Sequence, residues 1–245
     1  MSEYPISLKS FGDQAILIEW PAKVDERILY DILVFAQHLK AECLDPALWE
    51  FIPAYNSLTI VNQKEIENST ELMEQLKSWY QEIRSLVPLK RQLWKLPVCY
   101  DLEFGIDMTE VARTLDMSIS QIIELHTGTT YTVYGIGFLP GFMYLGGLPK
   151  SLETPRKKSP RLNVNKGSVG LAGKQTGIYP QDSPGGWNII GNCPIPLFNV
   201  DKADPCFVNV GDRIEFYPIN KAAYDLHKIE AEVGIYNIEN TIVDV

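Results

Sequence analysis

Four cations, Arg156, Lys157, Lys158 and Arg161, crowd into six positions between Pro155 and Pro160-Arg161. Arginine presents a planar fork that grips a carboxylate or phosphate through paired hydrogen bonds. The flanking prolines limit how far such a clamp wanders, and the glycine-rich stretch nearby can bring backbone N–H groups to the same anion. A basic run also serves as a plain solvated face, so the cluster is an anion clamp only if the fold aims it at a ligand. His126, at the end of an expected helix, fits either a dipole-favoured helix-end histidine or a proton-transfer group. Tyr179-Pro180 and Pro184-Gly185-Gly186-Trp187 form either a tight barrel corner or one wall of a ligand slot, with Trp187 offering a flat apolar face. No G-x-S-x-G elbow is present, and the chain declares no nucleophile.

Charge separates these candidates from the rest of the chain. The 245 residues carry 22 basic and 31 acidic side chains, net −9. Gly135–Pro196 holds seven basic residues and two acidic ones, a local +5 that leaves −14 for the remainder. A basic island in an acidic protein is a place to look for an anionic ligand. Overall acidity argues against general nucleic-acid binding. The pair of short helices expected from Asp107 to His126 resembles a helix-turn-helix, but Ser118–His126 has no Lys or Arg to meet phosphate. Gly173-Lys174 fails as a phosphate loop because position 168 is Ser168 and position 175 is Gln175. Gly135-Ile136-Gly137 misses the dinucleotide fingerprint. Cys43, Cys99, Cys193 and Cys206 form no metal-binding spacing, so reduced thiols and no structural metal are expected. Apolar runs are too short for a membrane span, and no signal peptide is visible, so a cytoplasmic location is expected.

The elements that must position these residues fall into two styles. Ser7–Lys9 and Ala15–Glu19 read as strands around a Gly12-Asp13 turn, and Val24–Cys43 reads as a helix with one apolar side. Ser57–Val61 is a further strand, and Asn68 with Glu71 starts a second helix that Pro88 ends. Strands with two helices on one face predict a ferredoxin-like α+β domain over 1–88. From 89 onward, Trp94–Tyr100 alternates as a strand, and two short helices follow, capped by Asp107 with Glu110 and by Ser118 with Gln121. Gly135–Gly191 then holds 12 of the 17 glycines. Short apolar pieces (Tyr131–Tyr134, Ser168–Ala172, Trp187–Ile190, Phe207–Val210, Arg213–Tyr217) between Gly/Pro turns predict a sandwich or barrel over 89–245. Tyr224–Glu232 is expected to be helical and Ile235–Val245 a last strand.

The run Gly137-Phe138-Leu139-Pro140-Gly141-Phe142-Met143-Tyr144-Leu145-Gly146-Gly147-Leu148 resembles a family signature. Thr154-Pro155-Arg156, Pro160-Arg161, Gly167-Ser168-Val169, Gln175-Thr176-Gly177-Ile178-Tyr179-Pro180 and Ser183-Pro184-Gly185-Gly186-Trp187 continue it. The family is that of the 5-oxoprolinase B subunit, also described as allophanate hydrolase subunit 1. Asn165-Lys166 departs from its usual Pro-Ala, and Met143 from its usual Pro. The resemblance implies an N-terminal α/β domain followed by a cyclophilin-like β-barrel. It also implies partner subunits C and A, ATP with magnesium in the complex, and 5-oxoproline as substrate. On that reading Arg156 and Arg161 neutralise anionic charge, His126 transfers a proton and Gln175 hydrogen-bonds substrate. Phe138, Gly141, Tyr179 and Trp187 shape the wall. One member is known as an inhibitor of a sporulation histidine kinase, and a fused relative serves carboxyl transfer in urea carboxylase. Protein binding and urea-related carboxyl transfer are therefore the alternatives to the hydrolase.

Overall fold

The computed structural model describes residues 4–83 and 89–244. Two compact units divide them, one running to Lys90 and the other spanning Arg91–Val243.

In the first unit β1 (Ser7–Ser10) and β2 (Ala15–Glu19) pair as an antiparallel hairpin, its turn eased by Gly12 at φ +73. Helix α1 (Glu26–His38) begins where the Asp25 carboxylate accepts the Arg27 N–H, and it loosens into a π turn over Leu39–Cys43. β3 (Trp49–Ala54) and β4 (Ser57–Asn62) follow, then α2 (Ser69–Glu82), whose cap Asn68 accepts the Glu71 N–H. The helix-ending Pro88 lies outside the described residues. The sheet order is β1-β2-β4-β3, antiparallel throughout. This is the ferredoxin-like layout with its outer strand supplied by the chain start. Ile16, Ile18, Leu58 and Ile60 bury one sheet face under Ile28, Ile32 and Phe35 of α1 and Leu76 and Tyr80 of α2. β3 was not expected, because Pro53 sits inside it; as the edge strand it tolerates the missing N–H.

The second unit is a closed barrel. Its elements are β5 (Lys90–Cys99), α3 (Met108–Leu115), α4 (Ile119–Thr127), β6 (Thr130–Ile136), β7 (Met143–Gly146), β8 (Arg161–Val164), β9 (Ser168–Ala172), β10 (Gln175–Ile178), β11 (Ser183–Gly185), β12 (Asn188–Asn192), β13 (Arg213–Ile219), α5 (Lys221–Glu232) and β14 (Asn240–Asp244). Strands run in the order β12-β9-β10-β7-β6-β13-β5, and Asn192 of β12 pairs with Cys99 of β5 to close seven strands. Closure removes the exposed edges that invite aggregation. β14 flanks β5 outside this ring, and β8 pairs with β11 as a separate ribbon. Inward side chains such as Leu96, Val98, Tyr131, Val133, Met143, Leu145, Val169, Leu171, Ile178, Ile214 and Phe216 fill the interior. Phe207–Val210 is loop rather than strand.

Candidate functional site

The outer face of β9 and β10 explains the glycine-rich signature. Register pairs Leu171 with Thr176 and Val169 with Ile178, and the four apolar or buried side chains of these pairs point into the barrel. The alternate pairs, Ala172 with Gln175 and Gly170 with Gly177, share the opposite face. A Cβ at Gly170 would stand 3.0 Å from Trp187 Cβ. One at Gly177 would stand 2.7 Å from the Met143 carbonyl and 3.1 Å from Trp187 Cζ3. The two missing side chains are therefore the seat in which Trp187 lies. Around it Phe142, Tyr179, Ala172, Val164 and Ile189 form a second apolar cluster outside the barrel, joined by the half-buried Tyr144. Phe142 is its hub, with Tyr144, Tyr179 and Trp187 centroids at 4.9, 5.4 and 5.4 Å, all edge-on.

Phe138 meets Phe142 edge-on at 5.7 Å and is 63% exposed. Its φ of +69, unusual for a bulky side chain, holds the ring at the rim of the cluster. Gly141 turns the same loop at φ +80, where a Cβ would come within 2.8 Å of Phe198 Cβ.

Arg156 reaches this cluster on a strap pinned by three hydrogen bonds. Gly173 N–H donates to the Thr154 carbonyl (2.6 Å), Asn188 Nδ2 to the Pro155 carbonyl (2.9 Å), and Lys157 N–H to the Gly186 carbonyl (2.8 Å). The guanidinium stands 6.0 Å from the Trp187 ring centroid. Arg156 is exposed, and among the described residues no carboxylate pairs with it. The structure thus offers one unneutralised guanidinium fixed beside an aromatic surface.

Arg161 has a different fate. Its Nη2 lies 2.5 Å from Asp107 Oδ1, and Lys157 Nζ joins the same oxygen at 2.9 Å. Asp107 Oδ2 accepts the Ile189 N–H at 2.7 Å. Asp107 was expected to cap α3, but its side chain makes no cap bond there and serves this network instead. Burial pushes its carboxyl up, yet the bonds from Arg161, Ile189 and Lys157 prevail and hold it below the usual range. Two of the four cations in the sequence cluster are therefore already partnered. Arg161 still bears on the site electrically. Burial raises the Tyr179 phenol, while a backbone bond from Trp187 and the charges of Arg156 and Arg161 draw it back.

His126 lies in the barrel interior, fully buried and stacked on Phe216 at 4.7 Å. Thr176 gives its single hydroxyl proton to the Gly170 carbonyl (3.1 Å), so it must accept from His126 Nε2 at 3.0 Å. Nδ1 then accepts the Tyr100 O–H at 2.7 Å. Burial alone drives the imidazole pKa to about 3, and the group is neutral at working pH. The result is a wire, Tyr100 to His126 to Thr176 to Gly170, ending on the strand that seats Trp187. Gln175, half-buried, lies on the outer face beside Ala172 and not with His126. The depressed pKa has a measurable consequence. The unfolded chain takes up a proton near pH 6.5 that the folded imidazole refuses until about pH 3. His126 therefore costs no stability above pH 6.5, and the folded state weakens as pH falls below it, by at most about 1.4 kcal/mol per unit. Urea midpoints measured from pH 7 to 4 are expected to fall more steeply in the wild type than in His126→Phe. Parallel slopes would contradict the buried neutral assignment.

Sequence reasoning missed Asp107 as a site residue, and with it Asn188 and the seat at Gly170 and Gly177. The paired glycines, central in Ser168–Ala172 and Gln175–Ile178, were the available signal. Among the described residues no group of three or more His, Cys, Asp or Glu could hold a metal ion. Among the described residues no helix is long and apolar enough to cross a membrane.

A seven-stranded barrel with a separate antiparallel α/β sheet is the fold of a known class. Residues 6–208 match the model of the carboxyltransferase domain, subdomain C and D, and the chain belongs to that family. It is 34% identical to the B subunit of 5-oxoprolinase from Bacillus subtilis (strain 168), covering 91% of this chain and 97% of that one. It is 39% identical to the B subunit of 5-oxoprolinase from Escherichia coli O157:H7, covering 84% and 93%. The solved structure of TTHA0988 superposes with a TM-score of 0.71 at 32% identity, over 84% of this chain and 40% of that one. Kluyveromyces lactis urea carboxylase shares the fold, with a TM-score of 0.76 at 19% identity over 98% of this chain and 24% of that one.

Proposed function

We propose that this chain is the B subunit of an ATP-dependent 5-oxoprolinase that opens 5-oxoproline to glutamate, and that Arg156 holds the substrate carboxylate. The observation that carries the reading is the unneutralised guanidinium pinned beside Trp187. 5-Oxoproline is a small lactam ring bearing one carboxylate, which asks for one fixed cation beside a flat apolar surface. Gln175 supplies an amide that can meet the lactam. Arg161, committed to Asp107, sets the local potential and does not grip substrate. Hydrolysis breaks the ring C–N bond, adds water across it and leaves a second carboxylate and an amine. ATP activation of the lactam oxygen supplies the driving force in the complex. The described residues of this chain carry no phosphate loop and no carboxylate cluster for magnesium, so the proposal assigns both to another subunit. His126 keeps the barrel wall in place and, being sealed and neutral, is a positioning residue. Relatives named as subunits support a heteromeric assembly; the partners proposed for it are subunits A and C.

The test is reconstitution. Purified chain is mixed with subunits A and C, and glutamate formed from 5-oxoproline is measured with and without ATP. ATP-dependent turnover that vanishes when this chain is omitted is expected; a complete, assembled complex with no turnover would overturn the proposal. A second reading, protein docking of the kind that inhibits a sensor histidine kinase, draws on Phe138 at 63% and Leu162 at 92% exposure. Urea-related carboxyl transfer is a third, favoured by the match to the carboxyltransferase domain model and by the fold likeness to urea carboxylase.

A further inference from the structure

Asn188 stands where the two halves of the proposed carboxylate site meet. It follows Trp187 in the chain, opens β12 opposite Leu171 of β9, and is buried. Its amide nitrogen donates to the Leu171 carbonyl at 3.2 Å and to the Pro155 carbonyl at 2.9 Å. Those two bonds use both N–H groups that a primary amide has. The first fixes the side chain to the barrel wall, and the second fixes the strap. The Pro155 carbonyl belongs to the planar peptide unit that leads into Arg156, so holding it sets the direction in which Arg156 leaves the strap. One buried amide therefore couples the position before Arg156 to the position after Trp187.

The strap's other ties leave this segment to Asn188. The Gly173 and Lys157 N–H bonds hold its two ends, and the Lys157 ammonium adds a tie to Asp107 and Glu110 beyond Arg156. Between them the exposed Arg156 side chain carries a long, rotamer-rich stem. A guanidinium on such a stem discriminates between ligands only as far as its backbone is held. We infer that Asn188 is a positioning residue that sets selectivity for a carboxylate-bearing ring, by holding Arg156 over Trp187 so that charge and ring are met together. The inference rests on the carboxylate reading of Arg156 proposed above. The residue type fits the task. Aspartate in the same place would turn a charge toward two carbonyls with no N–H to give, and serine has one proton for two acceptors.

Two measurements on Asn188→Ala separate the staple from the reading it rests on. The first needs no substrate. Arg156, Lys157 and Lys158 place three trypsin sites in the strap, and cleavage of a native chain reports local opening. Strap cleavage of the full chain, located by mass spectrometry, is expected to be about tenfold faster in Asn188→Ala, with cleavage after Arg113 in α3 unchanged. Unchanged strap cleavage, or a rise that Arg113 shares, would overturn the inference. The second measurement uses the complex with subunits A and C. Its preference for 5-oxoproline over 2-pyrrolidinone, the same lactam without a carboxylate, should fall by about fivefold in Asn188→Ala, the loss lying on KM for 5-oxoproline. Asn188→Ala with Arg156→Gln should be no worse than Arg156→Gln alone, because the staple acts through Arg156. Equal weakening of both ligands, or losses that add in the double variant, would make Asn188 merely structural and overturn the inference. If no complex makes glutamate while the strap opens in Asn188→Ala, the enzymatic reading falls, and the selectivity with it, and only the staple stands.

Discussion

Asp107→Ala is expected to lower folding stability by about 3 kcal/mol and the thermal midpoint by roughly 6–12 °C. The carboxylate is 3% exposed and serves three donors at once, Arg161, Lys157 and the Ile189 N–H. Removing it leaves Arg161 without its ion-pair partner, Lys157 with Glu110 alone, and a backbone N–H of β12 unsatisfied. An orphaned buried donor costs about 1–3 kcal/mol by itself. Two companion variants sort these contributions. Asp107→Asn keeps an acceptor for Ile189 and should fall between the wild type and alanine. Asp107→Ala with Arg161→Met should recover part of the loss, because deleting both partners is cheaper than stranding one. The pH dependence follows from the depressed pKa. The carboxylate's contribution is complete above its unfolded value near 3.8 and is lost as pH falls toward its lower folded value. Chemical denaturation that finds Asp107→Ala as stable as the wild type would contradict the network.

Arg156→Gln is expected to lower kcat/KM for 5-oxoproline by on the order of 10- to 100-fold in the assembled complex, the worth of a hydrogen bond to a charged group. Most of the change should fall on KM, since the carboxylate stays charged from ground state to transition state. Stability and assembly should be unchanged, because Arg156 is exposed and makes no ion pair among the described residues. Arg156→Lys keeps the charge but not the fork and should lie between. Steady-state kinetics on the three complexes checks the ordering.

Much of this was legible in the residues. The alternating strands, the cap at Ser118 with Gln121 and the ferredoxin-like and barrel classes all rest on local periodicity, which a sequence carries openly. Phe138, Tyr179 and Trp187, singled out by the signature, gather around Phe142 in one aromatic cluster. What stayed hidden was long-range pairing. Arg156 and Arg161 sit five residues apart and read as one clamp, yet Asp107, 54 positions from Arg161, claims only the second. Asp107 has the sequence of a helix cap, and nothing local announces that its carboxylate turns to another strand. His126 likewise reads as a helix-end residue; only its packing against Thr176 of β10 and Phe216 of β13 buries it. β10 was missed because Gly177 looks like a turn signal until Trp187 is seen lying over it, and β7 because Gly146, packed against Tyr134, reads the same way.

The most direct measurement compares how tightly the assembled complex binds 5-oxoproline and 2-pyrrolidinone, the same lactam without its carboxylate. The wild-type complex should prefer 5-oxoproline by at least about tenfold, and Arg156→Gln should erase most of that preference while binding 2-pyrrolidinone unchanged. A preference that survives intact in Arg156→Gln would place the carboxylate elsewhere and contradict the account.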